Sequence, residues 1–112
     1  AHGAPAPPRV RALVLVPTHD HAVQTAALCT ALGAGALRCA PLTGARPPSE
    51  CAEAARRCDV AVCTPGRAAS LVSGGELRTD AVRVLVLDEA DRLLELGFLE
   101  QVDEVLAACK RE

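Results

Sequence analysis

The stretch VRVLVLDEADRLLELGF, from Val82 to Phe98, sets three carboxylates directly behind an apolar run. Asp88, Glu89 and Asp91 are so close in sequence that they repel one another unless a cation or an arginine compensates. A carboxylate at the end of a buried strand is a hard oxygen ligand, suited to Mg²⁺ beside phosphates. An adjacent glutamate can orient or deprotonate an attacking water. The plainer alternative is an acidic helix start, since Glu89 and Asp91 suit a first turn. Their position straight after Val84–Leu87 favours the ligand reading.

Two other stretches place polar groups in the same way. Thr18 follows the run ALVLVP and is placed to cap a helix. In TPGR, Thr64 is a second cap, Pro65 takes the favoured first helical position, and Gly66 permits close backbone approach. Two helix N-termini on one rim of a sheet would offer free N–H groups and positive dipole ends to phosphates. Taken singly, each of these is a common helix start and nothing more.

The elements that must position these residues can be read from the apolar pattern. Ala12–Thr18, Leu37–Ala45, Asp59–Arg67 and Val82–Asp91 are four apolar runs, the second the weakest. Val and Leu without strict alternation predict strands covered on both faces, as in parallel sheets. Helical patterns fall between and after them: Asp20–Leu32 stopping at Gly33, Pro48–Arg57 with Glu53 and Arg57 at i,i+4, Ala68–Val72, and Leu99–Lys110. This alternation predicts an α/β domain, a parallel sheet with flanking helices and right-handed crossovers. Ligands of such sheets bind beyond the carboxyl ends of the strands, where these polar residues lie. Residues 1–10 read as a linker or cut end and 11–112 as one domain.

Composition narrows the partners. Half of the 112 residues are apolar, which excludes disorder, yet Phe98 is the only aromatic. Base stacking on aromatic side chains is therefore excluded for this chain, and nucleic-acid contact would have to go through the phosphate backbone. The net charge of -2 gives no global pull toward nucleic acid. All basic residues except Lys110 are arginines, which suit bidentate contacts to phosphate or carboxylate. Cys29, Cys39, Cys51, Cys58, Cys63 and Cys109 form no CxxC pair, and no histidine stands at zinc-finger spacing. Reduced, mostly buried thiols in an intracellular protein are expected.

VLDEADRLLELGFLEQV, within Leu85–Val102, closely resembles motif II of the DEAD-box RNA helicases and its continuation, including Gly97, Phe98 and Gln101. TPGR at Thr64–Arg67 resembles the family's motif Ib. PTHDHAVQ at Pro17–Gln24 is similar to its motif Ia, PTRELAxQ, matching at Pro17, Thr18, Ala22 and Gln24. Order and spacing fit the middle of the first RecA-like domain, so the resemblance implies an incomplete RecA-like (P-loop NTPase) fold.

The resemblance also implies roles. Asp88 would coordinate Mg²⁺ largely through water, Glu89 would position the hydrolytic water, and Asp91 would link ATP hydrolysis to partners elsewhere in the protein. Thr18, His19, Gly44, Thr64, Gly66 and Arg67 would contact or support the RNA phosphate backbone, which positions a strand without reading its sequence. The implied cofactors are ATP and Mg²⁺; the implied partners are RNA and a second RecA-like domain, with no membrane. A nuclear, nucleolar, cytoplasmic or organellar location follows. His19 replaces an arginine of the pattern, His21 a leucine, and Gly44–Ala45 stands for its Gly-Gly doublet, preceded by Thr43. His19 and His21 are expected at the surface or facing phosphate, not as metal ligands. No GxxxxGK[ST] loop or SAT triad occurs in these residues. Segment and parent therefore separate: the parent is expected to be an ATP-dependent RNA helicase, and this segment alone inactive. A degenerate scaffold or RNA-binding module is the alternative.

Overall fold

A computed structural model describes residues 9–110. Four parallel strands form one sheet: β1 (Ala12–Leu15), β2 (Cys39–Leu42), β3 (Val60–Cys63) and β4 (Val84–Leu87), in the order β2-β3-β1-β4. Around them lie α1 (His19–Leu32), α2 (Pro48–Ala55), α3 (Pro65–Ser73), α4 (Ala90–Glu95) and α5 (Leu99–Cys109). The expected α/β architecture is observed. The strands are shorter than the apolar runs, because each run continues into the loop beyond the sheet.

Two cores sandwich the sheet. Leu13 and Leu15 of β1 point with Ala61 and Cys63 of β3 toward α2, α3 and α5, meeting Cys51, Ala55, Ala68, Leu71, Val102 and Val105. Val14 and Val16 point the other way, with Val60 and Val62, against Ala22 and Ala26 of α1. The chain crosses from β1 to β2 over the α1 face and returns to β3 and β4 over the opposite face. Moving in opposite directions on opposite faces keeps one crossover hand throughout, as right-twisted strands require. Adjacent strands β1 and β3 therefore send their helices to opposite faces, which opens a crevice beyond their carboxyl ends.

Several expectations need correction. Val84, Val86 and Leu87 of β4 are 52%, 41% and 36% exposed, so this strand is not covered on both faces. It is the sheet edge, and α1 packs over β1 and β3 rather than over it. Val10 is buried in the core and Arg9 pairs with Asp80, so the folded part starts slightly before the expected boundary at residue 11. Residues 1–8 of the expected linker lie outside the described residues. α3 begins at Pro65, the first helical position expected from TPGR, and so is longer than the Ala68–Val72 pattern alone.

Helix α4 stands where the acidic helix start was the plainer alternative, although no helical pattern was drawn there. It ends by a Schellman motif: Phe98 N–H donates to Leu93 O at 3.0 Å and Gly97 N–H to Leu94 O at 3.1 Å. Gly97 adopts φ 85, which a side chain disfavours. The Gly-Phe that follows the acidic box thus has a structural cause: the glycine turns the chain, and Phe98 packs against the core as α5 begins.

Candidate nucleotide and phosphate site

The crevice between β1 and β3 is occupied by the residues singled out for phosphate contact. A cavity of about 610 Å³ is lined by Thr18 and His19 after β1, Thr43 and Gly44 after β2, and Thr64, Gly66 and Arg67 after β3, with Phe98 at its side. The cap expected at Thr18 is present, with its Oγ1 accepting from His21 N–H at 3.1 Å. The cap expected at Thr64 is not: Thr64 stands at the N-cap of α3 but its hydroxyl makes no cap bond. The first-turn N–H groups of Gly66 and Arg67 are thereby left open to an anion, at the positive end of a helix. Nothing crowds Gly66 or Gly44, so a backbone could approach either closely.

Thr43 was missed as a site residue, having been read only as the neighbour of Gly44. It is fully buried at the end of β2, and its Oγ1 accepts from Ala45 N–H at 3.2 Å and lies 2.7 Å from His19 Nδ1. With that amide donating to it, the Thr43 hydroxyl can give its own proton to Nδ1. With Nδ1 engaged there, Nε2 is the ring nitrogen without a partner among the described residues. A histidine so held supplies one directed hydrogen bond where the related motif has an arginine. The signal available in sequence was a threonine at a strand end, a weak one.

Arg67 is anchored by a bond from its guanidinium to Arg46 O at 3.2 Å, and Arg46 reaches Pro41 O at 2.7 Å. Arg46 also pairs with Glu50 at 3.8 Å, whereas Arg67 lines the cavity with most of its guanidinium donors unused.

One strand over, β4 carries the carboxylates. Asp88 N–H donates to Leu15 O at 3.0 Å, which continues the ladder and fixes the backbone where the strand ends. The Asp88 side chain is 48% exposed, and its Oδ2 lies 2.8 Å from His21 Nε2. Glu89, at the N-cap of α4, has φ 56 and ψ 54, left-handed backbone that costs a non-glycine residue about 1–2 kcal/mol. Strain of this kind, held at a loop tip by the strand before it and the helix after it, is a feature of functional sites. Asp91 lies exposed in the first turn of α4. The carboxylates and the cavity thus share one rim of the sheet, but Asp88, Glu89 and Asp91 do not line the cavity.

The expectation that His21 faces solvent or phosphate needs correction. Its side chain is only 19% exposed and lies against Asp88. It is the nearest partner of the crowded carboxylates.

Among the described residues no group of three or more His, Cys, Asp and Glu could hold a metal ion alone. The donors present still fit a Mg²⁺ bound chiefly to nucleotide phosphates. Asp88 keeps one carboxylate oxygen free at a half-exposed strand end, suited to a water-bridged ion. The six cysteines are free thiols; Cys51, Cys58 and Cys63 are buried. Burial, with Asp59 beside it, pushes the Cys58 thiol up to about 11, so it stays protonated and unreactive.

A parallel sheet with one capped and one uncapped helix N-terminus beside a strand-end carboxylate is an α/β domain with its polar groups gathered on one rim. Comparison with known proteins gives the family. Residues 4–112 match the family model described as DEAD/DEAH box helicase, and the chain belongs to that family. It is 39% identical over 99 residues to the ATP-dependent RNA helicase RhlB of Pseudomonas putida, covering 86% of this chain and 25% of the relative. It is 38% identical over 98 residues to the ATP-dependent RNA helicase dbp3 of Schizosaccharomyces pombe, covering 87% of this chain and 17% of that protein. The crystal structure of a DEAD box protein from Methanococcus jannaschii superposes with a TM-score of 0.86 at 32% identity, over 91% of this chain and 28% of that one. The chain therefore spans about a quarter or less of the length of these curated relatives.

Proposed function

We propose that this chain supplies the RNA-backbone cleft and the carboxylate half of the ATP site to a longer ATP-dependent RNA helicase. The carrying observation is the open N-terminus of α3. Thr64 leaves the amides of Gly66 and Arg67 unbonded in a cavity whose other walls are Thr18, His19, Thr43 and Gly44. Amides, hydroxyls and a guanidinium recognise sugar-phosphate backbone and carry no base readout. With one aromatic in the chain, binding would be indifferent to sequence.

On the neighbouring strand, Asp88 would hold Mg²⁺ through water, and Glu89 would orient the water that attacks the γ-phosphate. Mg²⁺ would supply charge neutralisation to the phosphates. Asp91 would join this site to groups elsewhere in the protein. Binding of ATP and a second RecA-like domain would clamp RNA across the rim, destabilise short duplexes or remodel RNA–protein complexes, and hydrolysis would release the strand. No phosphate-gripping P-loop lysine lies in these residues, and clamps of this kind act together. The 112 residues alone are accordingly inactive.

The test uses single-stranded RNA of several sequences and the full-length protein. Arg67→Ala is expected to weaken binding uniformly across sequences and to reduce the salt slope by about 0.7. A sequence-dependent loss, or none, would count against the cleft. Glu89→Gln is expected to abolish Mg²⁺-dependent ATP turnover. Histidine in place of arginine at position 19 and Ala45 in place of glycine favour a second reading, a non-catalytic RNA-binding scaffold. RNA binding without any ATP turnover by the unaltered full-length protein would select it.

A further inference from the structure

We propose that His21 is a positioning residue for Asp88, holding one carboxylate oxygen through its ring so that the other is presented to the metal–nucleotide water shell. This rests on the reading of Asp88 as a water-bridged Mg²⁺ ligand and adds a residue that the related motif lacks.

The geometry is specific to one ring nitrogen. His21 Nε2 lies 2.8 Å from Asp88 Oδ2, whereas Nδ1 is 3.9 Å from Glu89 Oε2, beyond hydrogen-bond reach. An ionised carboxylate only accepts, so Nε2 carries the proton in this contact. The residue is itself restrained: its backbone N–H donates to Thr18 Oγ1 at 3.1 Å, and its side chain is mostly buried. Asp88 lacks such restraint. Its backbone is fixed by the ladder, but its half-exposed side chain has no other hydrogen bond or ion pair among the described residues. A leucine at position 21 would leave the carboxylate to rotate. Groups that orient a ligand in this way commonly change metal affinity by about 10–100-fold when removed, and a water-bridged, half-exposed ligand lies at the low end.

The experiment uses the full-length protein carrying this chain. In metal-free protein labelled with ¹⁵N-histidine, long-range ¹H–¹⁵N spectra are expected to show His21 as the Nε2–H tautomer, with that preference lost in Asp88→Ala. Binding of Mn²⁺ with ADP, followed by electron paramagnetic resonance, is expected to weaken about tenfold in His21→Leu. His21→Gln places its amide nitrogen where Nε2 was and should restore binding. His21→Asn reaches only to the Nδ1 position and should not. Unchanged or tighter Mn²⁺ binding in His21→Leu, equal rescue by Gln and Asn, or an Nδ1–H tautomer overturns the proposal alone. Failure of the unaltered protein to bind Mn²⁺ with nucleotide overturns the nucleotide reading, and the proposal with it.

Discussion

Strands β3 and β4 flank β1 in the same parallel register and are built from similar residues, VAVC and VLVL. Every residue of β3 is buried, whereas three of the four in β4 are exposed. The difference lies in neighbours. β3 has a strand on each side and helices over both faces, while β4 has a strand on one side and no helix over Val84 and Val86. The two strands end in different chemistry. β3 runs into the uncapped start of α3 and forms a firm floor under the cleft. β4 runs into Asp88 and the strained Glu89 on an edge with unpaired backbone groups. The cavity between β1 and β3 is built within the chain's own core; the carboxylates stand on its margin.

The sharpest way to test this contrast is a pair of truncations, one in the buried centre of the sheet and one on its β4 edge. Leu15 is fully buried between β3 and β4, so Leu15→Ala is expected to destabilise the chain by about 3–5 kcal/mol. Val86→Ala, at a position already 41% exposed, should cost under about 1 kcal/mol. Urea denaturation of both variants measures this. Equal losses would mean that β4 is covered in solution. Amide exchange gives the same comparison by residue, with slow exchange expected through Val60–Cys63 and faster exchange at those β4 amides not bonded to β1.

Asp59, just before β3, tests what anchors the buried side. Burial alone would raise its carboxyl, but the Arg38 backbone N–H at 2.9 Å and the Arg38 guanidinium at 3.3 Å hold it below the usual carboxylate value. A lowered folded value means that ionised Asp59 stabilises the fold. That contribution is complete above the unfolded pKa of about 3.9 and is lost as pH falls through the lower folded value. Asp59→Asn keeps an acceptor but loses the charge, so a loss of about 1–2 kcal/mol at pH 7 is expected. The gap between variant and parent should close in acid below about pH 4. A gap that stays constant with pH would assign the loss to packing.

How far these regions were legible in sequence follows from the same contrast. Apolar runs located all four strands, β2 (CAPL) from the weakest of them, because each strand keeps a continuous apolar stretch whatever surrounds it. They could not say that β4 is an edge, since exposure depends on the neighbouring elements and not on Val84 or Val86 themselves. Thr18 was legible as a cap because capping is local. Thr64 looked identical, yet makes no cap bond, a matter of side-chain orientation at an otherwise ordinary N-cap. His21 was the largest miss. Its contact with Asp88 joins residues 67 positions apart, and only the pairing of β1 with β4 brings them together.

Glu89 offers the finest test, because stability and activity should move in opposite directions there. Its φ of 56 is one that glycine adopts without a Cβ penalty. Glu89→Gly relieves that strain but adds freedom to the unfolded chain, so a net gain of about 0.5–1 kcal/mol is expected in denaturation. The same change removes the carboxylate assigned to the attacking water, so the full-length protein should lose ATP turnover. On the firm side of the sheet, relieving strain has no counterpart, since no residue of β3 or the α3 N-terminus has positive φ. If Glu89→Gly instead destabilises the chain, its carboxylate contributes more to the turn than its backbone costs. The left-handed conformation would then be a by-product of folding and not a position held for chemistry.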